Sequence, residues 1–285
     1  MQRLPIELIG EIANSLDTKS AVALGKCNRH FSSTLSRQDF GFYVTTYVAI
    51  EHVLDSRSNY NRKSHVIGYF TSFLVKTHLE LTILPVNTKA ILFSDEFEFE
   101  KKKFPQFPHL SRLTKINLGH RFNLDAKELK LPDSLTHLTF GTLFNQPVEK
   151  LELPPLLTHL EFGFGFDQSV NKLKLPETLQ SLTFGFRFRQ SVNQLKFPPS
   201  LRRLQFGYRF NQYIGKINFP NSLTHLYLGH DFDKSYHLNF SSLCSLTHLE
   251  FENYWYRPIR NLKLLLPSLV HCTMGGYYGV PINIL

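Results

Sequence analysis

The chain has 285 residues, 42% of them hydrophobic and 14% aromatic, with 26 Phe, 12 Tyr and a single Trp. That apolar share can bury a sizeable core, which excludes a wholly disordered protein and fits one or two domains. Lys and Arg number 32 against 23 Asp and Glu, a formal charge of +9; no apolar run approaches the ~18 residues of a membrane span, and Cys27, Cys244 and Cys272 are too few and too scattered for a disulfide framework.

The N-terminal stretch MQRLPIELIGEIANSL carries Glu7 and Glu11 where a secretory signal is basic and then continuously apolar. No export signal is expected, and with so few cysteines the reducing cytoplasm is the default location, the nucleus being the alternative. Leu4, Leu8, Ile12 and Leu16 are four apart, and Leu24, Phe31 and Leu35 share one helical stripe. Two or three short helices are therefore predicted over residues 1–40, with Asp17, Thr18 and Ser20 as turn and helix-start residues. Phe40 to Leu54 reads as a further helix rich in β-branched residues, Asp55 to Ser64 as a loop and His65 to Leu79 as a helix, which makes residues 41–80 a helical linker or cap.

From about residue 81 the pattern changes to an internal repeat. Pro132, Pro154, Pro176, Pro198 and Pro220 fall 22 residues apart without slippage, and Leu138, Gly141 and Phe144 recur at the same interval. Weaker copies extend the array upstream through Pro108 to Phe122 and, more worn, from Leu84. Downstream they run through Leu246 to Leu262 and end in Pro267 to Ile282. About nine turns result over 81–285, the best of them in 131–235, with degenerate outer copies acting as caps.

Within one turn, Leu138 and Phe140 flank a polar residue in apolar–polar alternation, and Leu151 and Leu153 do so again thirteen residues later. Two short strands per turn are expected. Gly141 with Asn145, Gln146 and Pro147 supplies one chain reversal and Pro154 the other corner, where proline disfavours helix. The fold class that follows is mainly β: a solenoid of 22-residue turns behind a small α-helical N-terminal cap. The abundant Phe fills inward positions of that solenoid, Phe140, Phe162, Phe184 and Phe206 in one row and Phe122, Phe144, Phe166, Phe188, Phe210 and Phe232 in another.

Two families are resembled. The ordered set Leu4, Pro5, Glu7, Leu8, Ile12, Leu16, Asp17, Leu24, Cys27, Asn28, Arg29 and Phe31 resembles the opening of an F-box. Leu131 to Gln146, LPDSLTHLTFGTLFNQ, is similar to the hallmark of the FNIP repeat, a leucine-rich-repeat relative. The pairing of the two is a known arrangement in amoebae and in the large DNA viruses that infect them. The resemblance implies a non-catalytic receptor of a cullin-type ubiquitin ligase, in the host cytoplasm if viral. Leu4, Pro5, Leu8, Ile12 and Leu16 would contact the small adaptor subunit, and the repeats would bind a target protein. The alternative use of those five residues is to pack a helical cap onto the first turn.

On the solenoid, two rows of outward positions are candidates for target binding. One carries His137, His159, Ser181, Arg203 and His225, the other Thr139, Glu161, Thr183, Gln205 and Tyr227. The second row varies on an otherwise copied frame, as a recognition surface does and as a merely solvated face does too. Continued through His248 and His271, the first row holds five imidazoles, which invite a metal or pH-sensor reading, against which stand the interrupting Ser181 and Arg203 and the lack of a recurring carboxylate or Cys partner. Lys130, Lys174 and Lys196, beside Lys150, Lys172 and Lys216, make a basic face interrupted by Glu128 and Glu152, which fits an acidic protein, a phosphate backbone or a merely solvated surface. Nucleic acid is disfavoured because single-strand readers need outward aromatics and the Phe residues are read as inward. Asn123, Asn145 and Asn211 are read as local turn caps. No catalytic constellation, cofactor motif, metal-ligand spacing or small-molecule site is recognised. Plain scaffolding, without a ligase role, remains the other non-enzymatic reading.

Overall fold

The structure, a computed structural model, describes residues 48–49, 72–76, 78–95, 97–99, 104–232, 243–251, 265–274 and 282–283. The helices expected over residues 1–40, with Leu4, Pro5, Leu8, Ile12 and Leu16, lie outside these residues, as does the loop from Asp55 to Ser64. The chain divides into two compact units, residues 1–98 with 107–115 and residues 99–106 with 116–285.

In the first unit, β1 (Val48–Ala49), β2 (Ser72–Val75) and β3 (Ala90–Phe93) pair in parallel, Phe73 lying opposite Val48 on one side and Ile91 on the other. At residues 48–49 and 72–75 strand replaces the helix read within Phe40 to Leu54 and His65 to Leu79. Among the described residues of this unit the one helix is the single turn α1 (His78–Thr82). The apolar residues of β2 obey the strand period, with Phe73 and Val75 fully buried and Ser72 and Leu74 between them partly exposed, so two-residue alternation prevails over helical spacing. Thr88, a buried polar residue, is satisfied by donating from both its amide and its hydroxyl to the Pro85 carbonyl.

The second unit is the solenoid. Its strands are β4 (Lys115–Asn117, whose first residue falls in the other unit), β5 (His137–Thr139), β6 (His159–Glu161), β7 (Ser181–Thr183) and β8 (Arg203–Gln205). Then follow β9 (His225–Leu228), β10 (His248–Phe251), β11 (His271–Met274) and β12 (Ile282–Asn283). From β5 to β11 the pairing is parallel and in repeat register: Leu138, Leu160, Leu182, Leu204, Leu226, Leu249 and Cys272 lie side by side. Cys272 is buried, as the alternation predicts, and burial pushes its thiol up to about 12. β12 reverses direction and pairs antiparallel with β11.

Each turn that is described in full contains one strand, not the expected two. The rest of it is made of tight corners closed by bonds between residues three apart: Leu135 N–H to Pro132 O, Phe144 N–H to Gly141 O and Leu151 N–H to Val148 O. Leu151 to Leu153 keeps the apolar alternation without becoming a strand, because the Leu151 amide is used inside its own turn instead of reaching a neighbouring one. One short strand per turn with compact corners is the geometry of a leucine-rich-repeat-like solenoid.

Gly141, Gly163, Gly185, Gly207 and Gly229 are required by a close approach between turns. A Cβ on Gly141 would lie 1.6 Å from the Gly119 carbonyl oxygen, and at the other four the same atom one turn back would be met at 1.8 to 2.0 Å. Behind the glycines the Phe rows stack as read from the sequence. Ring centroids of Phe144, Phe166, Phe188, Phe210 and Phe232 are 5.8 to 6.1 Å apart in succession, and Phe162 lies 4.1 Å from Phe166 within one turn. All are buried, so the aromatic surplus forms a continuous core contact from turn to turn.

The asparagine row works differently from the local capping expected. Asn123 Oδ1 accepts from the Asn145 amide at 3.0 Å, Asn145 Oδ1 from the Asp167 amide at 2.9 Å, and Asp167 Oδ1 from the Arg189 amide at 2.9 Å. Each side chain thus ties its own turn to the next, and the series stops at Arg189, which has no acceptor to offer and instead pairs with Asp167 at 2.8 Å.

Candidate functional site

The parallel register places all eight candidate target-binding residues on one face of one sheet. Strand alternation turns Leu138 and its equivalents inward and leaves the flanking positions outward. His137, His159, Ser181, Arg203 and His225 follow one another directly, and beside them run Thr139, Glu161, Thr183, Gln205 and Tyr227.

The imidazoles stack in pairs: His137 on His159 at 4.2 Å and 4°, His225 on His248 at 4.2 Å and 6°. A threonine precedes each of these histidines, and its hydroxyl sits 2.8 to 2.9 Å from the ring Nδ1. Thr224 and Thr247 also donate to carbonyl oxygens of the preceding turn, at 3.1 and 3.0 Å. A hydroxyl has one proton, so with it committed to the carbonyl the ring Nδ1–H is the donor, and Nε2 of His225 and His248 is left as the acceptor. Protonation is opposed as well. Burial, then the Arg203 guanidinium and His248, bring His225 down to about 4, and burial followed by His271 lowers His248. Near neutrality His225 and His248 are therefore uncharged acceptors, with the Arg203 cation beside them. Among the described residues no group of three His, Cys, Asp or Glu side chains is arranged to hold a metal ion.

In the second row, Glu161 is set among uncharged neighbours, with Thr139 Oγ1 donating to its Oε2 at 3.4 Å. Burial raises its carboxyl to about 7, the threonine bond opposing only in part. The unfolded-state value is lower, so stability falls as pH rises from about 4.5 through 7 and the full penalty is present above it. Glu161→Gln is expected to stabilise the protein at pH 8 by about 1–2 kcal/mol, discounted because the side chain keeps part of its surface in water. Near pH 4.5 the substitution is expected to be neutral. Urea unfolding of both forms at the two pH values checks this, and an equal effect at both removes the burial argument.

The basic face is solvated: Lys130, Lys150, Lys172, Lys174, Lys196 and Lys216 are all exposed. Its one described ion pair, Lys172 with Glu149 at 3.5 Å, is open to water, where such pairs contribute little. The inward reading of the phenylalanines needs one correction. Phe164 is 45% exposed, and Phe186 and Tyr208, at the same point of the next two turns, are partly exposed. They follow Gly163, Gly185 and Gly207, where the preceding turn has Thr142. The signal lay in that replacement of Thr by three aromatics on a copied frame.

Comparison with known proteins bears on both halves of the chain. The F-box domain model matches residues 1–43, and the FNIP repeat model matches residues 144–187 and 188–231. The chain thus carries an F-box domain followed by FNIP repeats. No curated protein matches it. One similar solved structure is CroV588, described as a novel circular LRR protein, with 30% identity, a TM-score of 0.43 and a match over 68% of this chain. The chain spans about a third of that structure's length, 34%.

Proposed function

We propose that this chain is a non-catalytic substrate receptor of a cullin-type ubiquitin ligase, acting in the cytoplasm. The F-box segment docks the ligase's small adaptor subunit, and the repeats hold a target protein so that its lysines come within reach of the ubiquitin-loaded enzyme. The observation that carries the reading is the F-box match over residues 1–43 at the head of a repeat array. What the solenoid adds is a rigid surface: in-register strands bring variable polar side chains from successive turns onto one face. Repeat solenoids recognise proteins over such extended faces.

Leu4, Pro5, Leu8, Ile12 and Leu16 are the adaptor-facing residues in this proposal, an apolar helical stripe completed by the partner's helices. His137, Thr139, His159, Glu161, Arg203, Gln205, His225 and Tyr227 face the target. Capture of the adaptor by the tagged full-length chain is expected to fall at least tenfold in the double variant Leu4→Ala, Pro5→Ala. If the wild-type chain retains no adaptor, or the variant retains as much, the ligase role is lost and a plain interaction scaffold is left.

A further inference from the structure

The outward aromatics at the corner after the strands form a second surface, separate from the two strand-face rows. Phe164 stacks on Phe186 at 4.6 Å and 9°, Phe186 on Tyr208 at 4.6 Å and 13°, and Tyr208 on His230 at 4.4 Å and 1°. Backbone bonds hold the row in step: the Arg187 amide donates to Phe164 O at 3.0 Å, Arg209 to Phe186 O at 3.0 Å and Asp231 to Tyr208 O at 2.8 Å. Core packing does not account for these rings, because each turn already buries its two spine residues, such as Phe184 and Phe188. Isolated exposed aromatics are ordinary on protein surfaces, whereas a contiguous row of them marks an interaction site.

The arrangement also specifies the partner's chemistry. Stacked rings cover one another's faces and present their edges, and the edge is the positive part of an aromatic quadrupole. The Arg187 guanidinium lies 5.6 Å from the Phe164 centroid and Arg209 lies 6.0 Å from that of Phe186, so these two rings each carry a cation from the next turn. Positive edges and guanidinium groups together attract carboxylates. A nucleic-acid base, by contrast, needs an open ring face, and with neighbouring rings about 4.6 Å apart there is no room to insert one between them. Asp231, 3.2 Å from His230, supplies the opposite charge at the last described position of the row.

We infer that the Phe164, Phe186 and Tyr208 row, with Arg187 and Arg209, is a docking strip for an acidic segment of a protein partner. Carboxylates of that segment meet the guanidinium groups while its apolar side chains cover the ring edges. The inference rests on the reading of the solenoid as the target-holding half, but it does not depend on adaptor docking and is measured without it.

The test is selection of random 12-residue displayed peptides on the purified full-length chain. Affinities of the selected peptides are then measured for the wild type, for Phe186→Ser with Tyr208→Ser, and for the charge reversal Arg187→Glu with Arg209→Glu. The expected result is a pool enriched in Asp and Glu whose members lose at least tenfold affinity in both variants and weaken between 50 and 500 mM salt. The charge reversal replaces only exposed side chains, so a folding defect in the aromatic variant leaves the test intact. Failure to select any peptide, a neutral or basic pool, unchanged affinity in the charge reversal, or equal competition by a 12-nucleotide oligothymidylate overturns the inference. A strip that binds acidic peptides in a chain that captures no adaptor leaves the inference standing and removes only the ligase role.

Discussion

Gly185→Ala is expected to unfold the solenoid or cost it more than about 4 kcal/mol, at the extreme of what single substitutions do. The methyl group would lie 1.8 Å from the Gly163 carbonyl oxygen and 2.5 Å from its carbonyl carbon. Both are backbone atoms, so no rotamer change relieves the overlap. Two turns must separate instead, and on the same stretch run the bonds from Phe162 N–H to Thr183 O and from Arg187 N–H to Phe164 O, at 2.9 and 3.0 Å. The Phe162 and Phe184 rings, 5.8 Å apart, would lose contact with them. Thr183→Ala, two residues earlier on the outward face of the same strand, is the control and is expected to change stability by about 0.5 kcal/mol. Thermal and urea unfolding followed by circular dichroism distinguish the two, and a Gly185→Ala protein that melts within a degree or two of the wild type contradicts the close stacking of turns.

Deletion separates the period from the composition. Removing Phe166 to Arg187, 22 residues, joins Gly165 to Phe188 and restores the junction that Gly165 makes with Phe166. The shorter protein is expected to fold with a cooperative, somewhat lower melting transition, because it lacks one repeat and one interface between repeats. Removing Phe166 to Pro176, eleven residues, joins Gly165 to Glu177. The turn so made has no Phe166 for the spine and lacks the Val170 to Leu173 corner, and it is too short to travel once around the core. That protein is expected to show no cooperative transition in the second unit. Equal melting temperatures for the two deletions argue against a solenoid whose stability resides in turn-to-turn contacts.

The strict copies were readable from sequence because one physical demand recurs in each of them: an inward Leu, an inward Phe pair and a glycine at a fixed interval. The register alone then placed His137 beside His159 and Thr139 beside Glu161. What the pattern could not show was how the donors of the remaining half-turn are used. Leu151 to Leu153 alternates like a strand, yet its amide bonding is local, and alternation reports burial rather than hydrogen-bond partners. Ser72 to Val75 was misread for a related reason: its three-residue apolar run, Phe73 to Val75, is compatible with either period, and its parallel partner lies eighteen residues away at Ala90 to Phe93. Phe164, Phe186 and Tyr208 escaped notice because Phe was so common inside that its identity no longer signalled direction. Only their place in the copied unit, one residue after the glycine, sets them apart.

The reversed strand β12 has a consequence for self-association. A stack of parallel strands ends in a row of unsatisfied amides and carbonyls, and identical molecules can continue each other there into fibres. Because Ile282 and Asn283 run back along Met274 and Thr273, the edge of β11 at these two residues is met by backbone of the opposite polarity, and a parallel turn cannot pair there in repeat register.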